Sequence, residues 1–83
     1  MLRLSVAEHV LAALESVTRT DEVRRDVDVE LYLHGLLDSL ATVELMVLLS
    51  DELGIELSPA EIDRDDWATP RKLVAYIEGR VGP

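Results

Sequence analysis

Apolar residues return at helical spacing in three stretches of this chain, and the segments between them break the period. Val6, Val10, Leu11, Leu14 and Val17 follow Ser5, which stands three residues before Glu8 in the relation of a capping box. This predicts a first helix over roughly residues 5 to 18, with Glu8, His9 and Glu15 on its polar face. From Arg19 to Leu37 charges and β-branched residues lead into Leu31-Tyr32-Leu33-His34-Gly35-Leu36-Leu37, too irregular for a helix and without a strand partner. A long loop is expected there, pinned to the core by its leucines, and loops of that length inside small domains tend to be functional. Asp38 is a good N-cap, and Ser39 to Leu53 runs without Gly or Pro until Gly54 ends the second helix. Ser58-Pro59-Ala60-Glu61 repeats the capping box with Pro at the first helical position and predicts a short turn of helix to about Asp63. Thr69-Pro70 opens a last helix, with the stripe Leu73, Val74, Tyr76 and Ile77, ending near Gly79 to Gly82. The fold class is therefore all-α: a small bundle of three main helices plus one short helix, with a long loop between helices 1 and 2. No internal repeat and no βαβ alternation is present.

The second helix is apolar on two sides. At about 100° per residue, Leu45, Met46, Leu49 and Leu53 share one face, while Leu40, Val43 and Val47 gather almost opposite, beside Glu44 and Asp51. A helix apolar all round is often simply buried. In a three-helix domain both faces are hard to cover, and an apolar stripe rimmed by carboxylates has the character of a docking surface. Asp38, Leu40, Val43, Glu44, Val47 and Asp51 are the candidate partner-binding residues.

Composition narrows the chemistry. Eighty-three residues support one domain, read here as spanning 1–83, with a modest core. Tyr32, Trp67 and Tyr76 are its only aromatic residues, so the core must be aliphatic. The lack of Cys removes disulfides and thiolate metal sites, and two histidines supply a metal poorly; a cytoplasmic address is expected. The N-terminal segment holds no apolar run long enough for export or a membrane span, so a soluble chain without membrane insertion is expected. A formal charge of −9 repels nucleic acid and steers encounter towards basic proteins, although acidity also serves solubility alone.

Gly35-Leu36-Leu37-Asp38-Ser39-Leu40 and the following Ala41-Thr42-Val43-Glu44-Leu45 resemble the attachment motif of the acyl and peptidyl carrier proteins, and Gly54-Ile55-Glu56-Leu57 fits its continuation. The likeness runs from about Leu31 to Glu78. Glu61-Ile62-Asp63-Arg64-Asp65-Asp66-Trp67-Ala68-Thr69-Pro70-Arg71-Lys72 is especially similar to the D-alanyl carrier proteins of teichoic acid modification. A monomer is expected, and the resemblance implies a free-standing, non-catalytic carrier whose Ser39 bears a 4′-phosphopantetheine arm derived from coenzyme A and holds its cargo as a thioester. It implies as partners a phosphopantetheinyl transferase, an adenylating ligase or acyltransferase that loads the arm, and a downstream acyltransferase or condensing enzyme. The physical logic agrees, because a serine at a helix N-terminus is exposed and its phosphodiester meets free backbone N–H groups and the helix dipole. Lys72 is the sole lysine among eight basic residues, a bias of GC-rich genomes, and it inclines the expectation towards a polyketide or aminoacyl specialised-metabolite pathway. D-alanylation of teichoic acid is the alternative, and an unmodified helical adaptor is the alternative from a different class.

The remaining candidates have ordinary roles beside chemical ones. Ser39 is also suited to be a secondary cap beside Asp38, and a hydrolase reading of it lacks the Gly-x-Ser-x-Gly elbow. His34 precedes Ser39 by five residues and is a candidate for contact with the arm, against the common role of a solvated loop histidine. His9 reads as surface, and Trp67 as an anchor for the loop before the last helix. The acids Glu61, Asp63, Asp65 and Asp66 lack the register of a calcium loop, so no metal site is expected.

Overall fold

In the computed structural model, which describes residues 5–81, side-chain caps start the helices where the sequence places them. Helix α1 spans Val6–Thr18, a single turn α2 Glu22–Arg25, α3 Ser39–Leu53, and α4 Pro70–Val81, with a 3₁₀ turn at Pro59–Glu61. Ser5 Oγ accepts the amide of Glu8 at 3.1 Å, the Asp38 carboxylate accepts that of Ala41 at 2.8 Å, and Thr69 Oγ1 accepts that of Lys72 at 3.1 Å. Each bond satisfies an amide that the helix itself leaves without a partner. The reciprocal half of the first capping box is replaced: the Glu8 carboxylate turns to Arg24 at 3.3 Å. Gly54 ends α3 in the left-handed conformation, φ 65°, where a Cβ would be strained.

One element departs from the expected long loop. Residues 22–25 form a helical turn, capped from before by Thr20 Oγ1 on the Glu22 amide and anchored by the fully buried Val23. A single turn has only one inward position, so it shows no period in the sequence, and its costly nucleation is met by packing on α1. Arg24 reinforces that contact by bridging Glu8 and Glu15 of α1, and the hydrogen bond to Glu8 raises its already high pKa.

Helix α1 is the common support, since α2, α3 and α4 all pack on it. Val10, Ala13 and Leu14 of α1 meet Leu45, Met46 and Leu49 of α3 and Leu73 and Ile77 of α4 in one core. The core is not purely aliphatic as expected, because Trp67 is completely buried in it, with its ring edge-on to Tyr76 at 6.0 Å between centroids. Its indole N–H has no acceptor among the described residues, so packing alone holds the ring.

The segment between α2 and α3 is tied down from both ends. Leu31 N–H donates to Ala68 O at 2.8 Å, Arg71 N–H donates to Val27 O at 2.9 Å, and the Arg71 guanidinium grips both oxygens of Asp28. Val29, Leu31 and Leu37 are buried, as the leucine-rich pattern suggests, but Leu33 points outward. Only part of the expected leucine anchoring is therefore realised, because the turn at Tyr32 to Gly35 leaves Leu33 at its tip. This pinned loop delivers Asp38 and Ser39 to the start of α3.

Candidate functional site

Ser39 is the first residue of α3 and is exposed. Asp38 occupies the cap, with its carboxylate on the Ala41 amide and its carbonyl on the Thr42 amide. The amides of Ser39 and Leu40 have no acceptor among the described residues and lie at the positive end of the helix dipole.

Three further side chains build the other wall. The Thr42 hydroxyl donates to Asp38 O at 2.6 Å and contacts the Tyr32 hydroxyl at 2.8 Å. Because that hydroxyl has one proton, Tyr32 must be the donor to it. The Tyr32 ring is thereby fixed, and the Arg64 guanidinium lies over its face, 4.6 Å from the centroid. Arg64 Nη2 reaches Ser39 Oγ at 3.4 Å, a long contact across the mouth of a groove that Val43, Pro59 and Ile62 also line. An exposed hydroxyl, two free amides and a guanidinium fit a phosphate ester on Ser39 Oγ, so the residues present suit the arm that the resemblance implies.

On the opposite side of α3, Asp38, Leu40, Val43, Glu44, Val47 and Asp51 all line a single open groove of about 680 Å³ against the end of α1. Leu40, Val43 and Val47 are 69%, 43% and 51% exposed, whereas Leu45 and Leu49 on the other face are fully buried. Val43 borders both grooves, so the two meet at the N-terminal turn of α3.

Sequence reasoning overlooked several contributors, Thr42 among them. Val17 and Arg19 complete the larger groove, Arg19 from a left-handed C-cap with φ 61°. Tyr32 and Arg64 complete the smaller one. Arg64 had a signal, as the single cation within the acid run from Glu61 to Asp66, but its approach to Ser39 crosses 25 positions of sequence. His34 is exposed and does not line the groove beside Ser39. His9 is half-buried, with Nδ1 3.7 Å from Glu52. No group of side chains able to hold a metal ion occurs among the described residues, and no helix there is long and apolar enough to cross a membrane.

The family model described as a phosphopantetheine attachment site matches residues 8–77. A D-alanyl carrier protein of Enterococcus faecalis is 43% identical over 75 residues, which are 90% of this chain and 96% of that protein. One from Listeria monocytogenes is 41% identical with the same coverage, and one from Bacillus cereus is 44% identical over 86% of this chain and 90% of its own length. A family match across most of the chain and relatives of nearly equal length point the same way: this chain belongs to the phosphopantetheine-binding carrier proteins, which carry a 4′-phosphopantetheine group and have no catalytic activity of their own.

Proposed function

We propose that this chain is a D-alanyl carrier that bears its arm on Ser39 and presents D-alanine to partner enzymes, in the teichoic acid modification that the resemblance implies. The observation that carries the attachment site is the exposed Ser39 Oγ at the first position of α3, between free amides and Arg64. The names of the relatives support the cargo, and they favour D-alanylation over the specialised-metabolite pathway that the arginine bias suggested. When attached, the arm supplies a terminal thiol on which an aminoacyl group is carried as a thioester.

The chain's own residues provide attachment and docking. Asp38 and Gly54 fix the ends of α3 and so the position of Ser39. Leu40, Val43 and Val47 give an enzyme an apolar surface close to the arm, and Asp38, Glu44 and Asp51 give it charges to pair with basic residues. A phosphopantetheinyl transferase, a loading ligase and an acceptor enzyme would use this face in turn. A cytoplasmic, monomeric protein is part of the same reading.

Intact mass tests it. Incubation with coenzyme A and a broad-specificity transferase adds the mass of one phosphopantetheine to the wild type and none to Ser39→Ala. No gain leaves the unmodified adaptor, and a gain that survives Ser39→Ala rejects Ser39 as the attachment point. The armed protein is then offered D-alanine and other amino acids with a D-alanine-activating ligase, and acyl-coenzyme A donors with an acyltransferase. Preference for an acyl-coenzyme A donor over D-alanine would restore the specialised-metabolite reading.

A further inference from the structure

The groove beside Ser39 contains a charge that the docking face does not use. Arg64 stands between Asp63 and Asp65 in sequence, yet it forms an ion pair with neither, nor with any other carboxylate among the described residues. Asp63 instead accepts the Asp65 amide at 2.9 Å. What holds Arg64 is the Tyr32 ring, itself tied through Thr42 to the backbone of Asp38. The exposed guanidinium is thus held beside the first turn of α3, within reach of Ser39 Oγ.

Asp38 gives that charge a purpose. Its carboxylate already occupies the N-terminus of α3, and a phosphodiester on the neighbouring Ser39 places a second negative charge at the same helix end. The dipole and two amides favour it, but the two anions repel at short range. A guanidinium 3.4 Å from the ester oxygen is positioned to offset that repulsion and to offer paired N–H donors to the phosphoryl oxygens.

We infer that Arg64 is a positioning residue for the arm, binding its phosphodiester and holding the root of the arm on the Tyr32 side of α3. This rests on Ser39 being the attachment point. Stacking on Tyr32 limits the conformations that Arg64 must give up, which strengthens the pair relative to a free surface arginine. The pair exists only after modification, so its contribution belongs to the armed form.

The test compares melting temperatures of unmodified and armed protein for wild type, Arg64→Gln and Arg64→Lys, each checked by intact mass. The armed-minus-unmodified difference should fall by about 4 °C in Arg64→Gln, recover in part in Arg64→Lys, and shrink for wild type as salt rises. The phosphorus-31 resonance of the armed protein should also move in Arg64→Gln. If Arg64→Gln lowers both forms equally and leaves the resonance in place, Arg64 is only structural and the inference is overturned. If wild type gains no mass, the Ser39 reading itself fails, a result separate from the first.

Discussion

Leu45 and Val47 are two residues apart on α3, yet Leu45 is fully buried and Val47 is half exposed at the centre of a groove. The buried face, with Met46 and Leu49, contacts the core supported by α1. The other face, with Leu40 and Val43, is left uncovered by the described residues and is bordered by the carboxylates of Asp38, Glu44 and Asp51 and by Arg19. Apolar residues on one helix thus have opposite environments. On one face, loss of water on folding stabilises the domain; on the other, apolar area stays in water beside a rim of carboxylates, and the docking proposal assigns it to association.

The strongest way to break this comparison is to substitute both faces. Leu49→Ala on the buried face should cost about 2–5 kcal/mol through lost burial and a cavity. Against the roughly 5–15 kcal/mol that holds most domains together, thermal melting should fall by about 10 °C or more. An unchanged melt would mean that this face is not the core.

Val47→Asp should act oppositely. If the groove is a docking face, the domain melts within about 2 °C of wild type, because the new carboxylate stays hydrated. Loading by the cognate ligase, measured after the arm is installed, should slow by about tenfold, mainly through faster dissociation. Glu44→Arg should produce a smaller, salt-dependent loss through slower association. An unfolded Val47→Asp protein, or one loaded at the wild-type rate, would show the face to be misassigned.

The smallest effect lies away from α3 and sharpens the comparison by testing how the approach to Ser39 is held. The hydrogen bond from Arg71, with its charge, draws the Asp28 carboxyl below its ordinary value. A carboxyl whose pKa is lower folded than unfolded stabilises the fold above the ordinary carboxylate range and loses that contribution as pH falls through the depressed value. Asp28→Asn should therefore lower the melting temperature slightly near neutrality and converge with wild type under acid. Both side chains are exposed, so the difference should also diminish with salt. A gap between the two proteins that widened on acidification would refute this account.

Local chemistry determined most of the helical framework. Asp38, Ser58, Thr69 and Gly54 act through bonds to residues within four positions, and such signals are fully present in sequence. The two-sided pattern of α3 was legible because the helical period alone assigns Leu45 and Val47 to different faces, and the motif around Ser39 was legible through its resemblance to the carrier proteins. What only the tertiary structure decided depends on distant partners. The turn at Glu22–Arg25 forms on α1, Leu33 is exposed while Leu31 and Leu37 are buried, and Arg64 reaches Ser39 across a stacked Tyr32. None of these has a local periodic signature, because each is fixed by packing and charge contacts between segments whose meeting the linear pattern does not encode.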